Sequence, residues 1–240
     1  LDIEIWQDLN QRNALLEEVL SKGFVSNWEA VFCTKDGSLI TSLLSTKKID
    51  VDDEPHLLTV VRDITDRIQD KKRIEAANDF LLIGNRHTEM KPLLRDFIAE
   101  IKHISECSAV AVRILDKDGK IPYAASEGFV ADFCSLEEPL SIHSHRGMCA
   151  RVINKQVEPH TSFFTSHGSY YVNSTSRFLS TASEDQKRLM RNTCHRFGYE
   201  TLALIPIRSK DRALGLIHVA AKEANRLNNI KIEMLEGAAL

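Results

Sequence analysis

Two strand–turn–strand patterns, at residues 109–126 and 202–221, constrain the fold of this chain more than any other feature. In the first, AVAVRIL is followed by the turn DKDGK and then by IPYAAS; in the second, LALIPIR, the turn SKDR and ALGLIHVAA follow one another. Turns this tight join antiparallel neighbours, because a parallel pair needs a crossover of a dozen residues or more. A helical pattern precedes the first hairpin. Pro92 stands at its first turn, and Leu93, Leu94, Phe97, Ile98, Ile101 and Ile104 make a full amphipathic face. A further helix is expected over 228–240. Helix, hairpin, irregular segment, hairpin, helix describes an α+β domain with a mostly antiparallel sheet flanked by helices.

The first 66 residues repeat the antiparallel theme on a smaller scale. Leu9, Leu15, Leu16, Val19 and Leu20 predict a short helix closed by Gly23. Trp28, Ala30 and Phe32 alternate as a half-buried strand should. Lys35-Asp36-Gly37-Ser38 is a hairpin turn, 38–46 the returning strand, and 50–55 a second turn before a third strand at 57–62. At 63–67 the period changes from two to 3.6. Thr65 is the expected N-cap, Ile68, Ile74, Ala77 and Leu81 form a thin apolar stripe, and Gly84-Asn85 is the expected end. So narrow a stripe on so charged a helix suits a two-helix seam, and a homodimer through helices 67–82 and 228–240 is expected.

Composition excludes several classes. The 240 residues carry a net charge of −3, which is no footprint for nucleic acid. No apolar run approaches the roughly 18–20 residues of a membrane span, and no signal-peptide pattern is present. Cys33, Cys107, Cys134, Cys149 and Cys194 are an odd, scattered set, read as reduced thiols of a cytoplasmic protein. The chain starts at Leu1 and stops inside a helical pattern at Leu240, as an internal piece of a longer protein would.

Residues 147–207 differ from everything around them. The segment is polar and aromatic, holds Cys149, Cys194 and several histidines, and runs straight into the strand at 202–207. A long irregular segment between regular elements usually builds a site. No isolated glycine here makes a phosphate loop, and no carboxylates pair for acid–base work, so no catalytic residue is assigned.

Residues 1–70 resemble the C-terminal half of a PAS domain. The resemblance rests on Trp6 with Arg12, Gly23-Phe24-Val25, Glu29, Lys35-Asp36-Gly37, and Val60-Val61-Arg62-Asp63-Ile64-Thr65 leading into a charged helix. Residues 86–240 resemble a GAF domain of PAS/GAF sensor histidine kinases. Here the residues are 147–153, Phe163-Phe164-Thr165, Gly168-Ser169, Asn173-Ser174-Thr175, Arg191-Asn192, Cys194, and Gly198-Tyr199-Glu200 through Pro206. The implied organisation is a partial PAS meander (1–66), a linker helix (67–85) and a GAF domain (86–240). The implied role is the sensory input module of a signal-transduction kinase, with a downstream kinase domain and response regulator as partners. The kinase core is not in this chain. Some sensors of this kind carry haem attached through one cysteine and ligated by histidine; carried over by position, these are Cys149 (covalent) and His195 (axial to the iron).

The residues themselves leave alternatives open. Cys149 stands near the start of a short helix, where a thiol gains thiolate character; it is equally the kind of small apolar residue that cores bury. His195 is a candidate iron ligand or a polar loop residue bonded to a backbone carbonyl. Cys194 adjoins it, but residue 191 is Arg where a c-type haem motif has Cys. On extended backbone Cys194 and His195 would point opposite ways, which favours splitting the two roles between Cys149 and His195. His143 and His145 are either a distal ligand pair or a solvated loop. Phe164 and Tyr171, with Phe163 and Tyr170, are pocket walls for a planar ligand or ordinary packing. Zinc on Cys149, Cys194 and His195 lacks the usual ligand spacing. Two further functions stand beside the haem sensor: a GAF domain holding a bilin or cyclic nucleotide, since bilin domains also place Cys-His before a strand, and a ligand-free dimerisation and relay module.

Overall fold

A computed structural model describes residues 5–138, 140–143, 147–156, 163–188, 191–210 and 212–239. The chain divides into two compact units, Leu1–Lys72 and Arg73–Leu240.

In the first unit, helix α1 (Leu9–Lys22) starts where the Asp8 carboxylate accepts a bond from the Asn10 N–H, and ends at Gly23 in the left-handed region. Strands β1 (Phe24–Cys33), β2 (Leu39–Val51) and β3 (Glu54–Asp63) form an antiparallel meander in the order β1-β2-β3. Leu15 and Val19 of α1 pack on Val25, Ala30, Phe32 and Leu44, and Trp6 meets Phe32 edge-on. Strand β3 is exposed along its whole length.

Helix α2 (Thr65–Arg86) contains the division between the units. It departs from expectation in three ways. Thr65 is its first helical residue, and its hydroxyl accepts from the Thr41 N–H on β2 rather than capping the helix. The helix continues through Gly84, where helical backbone needs no special conformation and nothing crowds the residue. Its buried residues are Ala76, Phe80 and Ile83, whereas Ile74 and Leu81 of the expected stripe are exposed.

The second unit continues with α3 (Met90–Ser105), whose Leu94, Ile98 and Ile101 are buried at helical spacing. Strands β4 (Ala109–Ile114) and β5 (Tyr123–Glu127) form the first expected hairpin, followed by α4 (Ala131–Glu137) and α5 (Met148–Ile153). Then come β6 (Tyr170–Val172), α6 (Thr175–Thr181), α7 (Glu184–Arg188) and α8 (Thr193–Arg196). Strands β7 (Thr201–Ser209) and β8 (Arg212–Ala221) form the second hairpin, and α9 (Asn229–Ala238) ends the unit. The five strands lie in the order β5-β4-β8-β7-β6, every neighbouring pair antiparallel. This is the α+β arrangement the hairpins require.

The two faces of this sheet carry separate cores. On one, Val110, Val112, Ala203, Ile205, Ile217 and Val219 pack against α2, α3 and α9. On the other, Ala109, Leu202, Leu204, Leu216 and Ala220 pack against α4, α5, α6 and the aromatic residues of the irregular segment. Alternation along each strand produces the split. The second face carries the site.

Candidate functional site

A cavity of about 70 Å³ opens on that second face. Its floor is Leu202 and Leu204 of β7. Glu137 from the end of α4, Met148 and Cys149 from α5, Tyr170 from β6, Thr175 and Phe178 from α6, and residues 191–195 enclose it. Gly147 admits the chain to the wall with φ of 117°, a conformation that favours glycine. A cavity of this size holds a few water-sized groups, so a larger ligand enters only by displacing its walls.

The structure brings Cys149, Cys194 and His195 to one cavity. Sequence reasoning placed Cys194 and His195 on opposite sides because it took the backbone as extended. They lie instead on the single turn of α8, and both line the space. Tyr171 is not a wall residue. It points to the other face, where its hydroxyl is 2.7 Å from Asn229 Oδ1, and its neighbour Tyr170 lines the cavity instead. Phe164 packs on Tyr170, with ring centroids 5.4 Å apart, one layer outside the lining. His143 is exposed and outside the lining; His145 lies outside the described residues.

Of the two readings of Cys149, its burial favours the neutral thiol of a core residue. Burial pushes this thiol up to about 12, against the weaker pull of the Arg113 cation. One turn of α5 does not offset the loss of water around the sulfur. Burial likewise raises the Cys194 thiol well above its ordinary value. Both are neutral thiols near neutral pH. Cys194 Sγ lies 3.9 Å from Nε2 of His218, a fully buried imidazole among Phe129 and Phe133.

Several contributors were given no role at the site from the sequence. Arg113 is fully buried; its Nε and Nη2 donate to the carbonyls of Ile121 and Glu137, each at 2.6 Å, and its guanidinium lies 4.1 Å over the Tyr123 ring. The one available signal was an arginine in an otherwise apolar strand, VAVRI. Glu137 is buried at the cavity, with Oε1 3.7 Å from Arg191 Nε and no hydrogen-bond partner in the protein. Thr193 Oγ1, also buried and lining the space, has none either. Thr175 Oγ1 donates to the Tyr199 carbonyl at 2.7 Å and lies 3.2 Å from His195 Nδ1.

The nature of the walls limits the chemistry. Among the described residues no group of three or more His, Cys, Asp or Glu is placed to hold a metal ion by itself. What the cavity offers is an apolar enclosure, two neutral thiols, one imidazole and a few unsatisfied polar atoms. An imidazole nitrogen and a thiol are the donor types a haem would use, and a cavity of about 70 Å³ would admit that group only with its walls moved apart.

Solved structures match this architecture, two of them at a TM-score of 0.50 or 0.51. One, described as the structure of the GAF domain, is 12% identical and covers 71% of this chain and 85% of its own, at a TM-score of 0.50. The GAF domain of a phosphoenolpyruvate-protein phosphotransferase from Coxiella burnetii is 11% identical, with 70% and 88% covered, at 0.51. The chain carries the GAF fold. A free methionine-R-sulfoxide reductase from Neisseria meningitidis, in complex with its substrate, is 14% identical, with 70% and 86% covered, at 0.48. No family model and no curated protein matches the chain. Likeness at these identities is likeness of fold. No helix among the described residues is long and apolar enough to cross a membrane.

Proposed function

We propose that the GAF unit is the sensory input module of a cytoplasmic signal-transduction kinase and that its cavity takes haem. Cys149 would hold the group by a thioether, formed by adding the thiol S–H across a vinyl C=C, and His195 would ligate the iron. The observation that carries this reading is the convergence of Cys149, Cys194 and His195, from two distant segments, on one apolar cavity. A bound haem would supply an iron responsive to redox state or to a small gas. The chain's own part is to hold an imidazole, keep a protonated thiol beside it and exclude water with Leu202, Leu204, Tyr170 and Phe178. The first unit is read as the C-terminal half of a PAS domain.

Relay is assigned to the helices. Arg73 of α2 donates to Glu233 of α9 at 2.7 Å, so the two helices are tied within the GAF unit. The exposed Ile74 and Leu81 offer an apolar stripe to a second copy, giving a homodimer whose helices pass a two-state shift to a kinase domain and response regulator.

An absorbance scan of the purified chain with a pyridine haemochrome assay tests the reading. A Soret band is expected. Cys149→Ala should leave haem bound but extractable by acid–organic solvent, and His195→Ala should keep it attached and shift the Soret. Wild-type spectra and non-extractable haem in both variants would refute the residue assignment. A colourless protein after haem supplementation, or a red to far-red band from a bilin, would refute the cofactor.

A further inference from the structure

The hydroxyl of Thr175 has one proton, and the structure shows where it goes. The Tyr199 carbonyl 2.7 Å away can only accept, so Oγ1 donates there. The same oxygen lies 3.2 Å from His195 Nδ1. With its proton committed, it can only accept from that nitrogen, and Nδ1 therefore carries the N–H. In the neutral ring Nε2 is left with the lone pair.

The arrangement is held from both sides. The Thr175 N–H donates to the Glu200 carbonyl at 2.9 Å, so two successive carbonyls of the 199–200 segment pin the start of α6. The N–H groups of Gly198 and Tyr199 donate to the carbonyls of His195 and Cys194, which ties α8 to the same segment. Glu200, the nearby carboxylate, is occupied by the Ser174 and Ser176 hydroxyls and the Ser176 N–H. Thr175 is itself buried.

We propose that Thr175 is the positioning residue that fixes His195 in the Nδ1–H tautomer and reserves Nε2 as the ligating nitrogen of the cavity. The proposal rests on the haem reading for the identity of the ligated centre. Which ring nitrogen binds a metal is set by the hydrogen bond the other one makes. An unrestrained histidine in water favours the opposite, Nε2–H form, so the cavity needs such a device.

The test is nitrogen-15 NMR of histidine-labelled, ligand-free chain at mildly alkaline pH, where imidazole is neutral. The His195 signal is assigned by its loss in His195→Gln. Wild type should show Nδ1–H, Thr175→Val a majority of Nε2–H, and Thr175→Ser a return to the wild-type pattern. A wild-type ring in the Nε2–H form, or an unchanged tautomer in T175V, overturns the proposal. The wild-type spectrum decides alone should the valine variant fail to fold. Hemin titration of the same proteins is the second arm, with T175V expected to bind about 10-fold more weakly or worse and T175S as wild type. Equal hemin affinity in wild type and T175V, despite a changed tautomer, overturns the ligation role. A chain that binds no hemin but keeps the Nδ1–H pattern refutes the haem reading and leaves the tautomer assignment standing.

Discussion

Cys149 and His218 lie on the same side of the second unit's sheet, and in both burial decides the chemistry. For Cys149 it outweighs the short helix, at whose start a thiol otherwise gains thiolate character. For His218 burial, aided by the nearby Arg113 cation, lowers the imidazole to about 3. The unfolded chain takes up the proton near pH 6.5, so between about 6.5 and 3 the unfolded state binds more protons than the folded one. Stability from this residue is therefore complete above pH 6.5 and is lost as the pH falls towards 3, on the order of a few kcal/mol in all. Urea midpoints of the GAF unit should fall steadily from pH 7 to pH 4. In His218→Leu that slope should flatten, and an unchanged slope would assign acid sensitivity elsewhere.

Helices α2 and α3 show how one element divides its residues between core and surface. Ile101 of α3 is fully buried against the sheet, whereas Ile74 and Leu81 of α2 are exposed. Ile101→Ala should cost roughly 2–5 kcal/mol, because the sheet cannot close on the space left behind. Ile74→Ala and Leu81→Ala should stay within about 0.5 kcal/mol, as exposed substitutions do. Chemical denaturation followed by circular dichroism distinguishes the two outcomes. If the exposed stripe is a dimer seam, the same two surface variants should also shift the chain towards monomer in light scattering. Loss of fold stability without any change in mass would place Ile74 and Leu81 in the core instead.

At the scale of the whole molecule the two units have unequal cores. Among the described residues, the first rests on six buried apolar residues and has a fully exposed strand, whereas the second fills both faces of a five-stranded sheet. A core so small is marginal in isolation. Both tryptophans of the chain, Trp6 and Trp28, belong to the first unit, so indole fluorescence reports that unit alone. In a urea titration the fluorescence transition should precede the loss of far-ultraviolet ellipticity. Coincident transitions by both probes would show that the units unfold as one cooperative body.

Local pattern determined the parts of this protein that local physics governs. The hairpins at 109–126 and 202–221, the meander of the first unit and the amphipathic face of α3 were legible because alternation, turn residues and helical spacing act over a few neighbouring residues. The grouping of Cys149 with His195 came from resemblance, not from spacing. Tertiary structure alone decided the rest. Whether Tyr170 or Tyr171 faces the cavity depends on the register of β6 against β7, and a shift of one residue exchanges them. That Cys194 and His195 share a wall depends on one helical turn in a segment with no periodicity to announce it. The protonation of Cys149, the burial of Arg113 and the bond that orients His195 depend on groups distant in sequence that meet only after folding. Desolvation and hydrogen-bond partnership are properties of the folded interior, and no spacing along the chain encodes them.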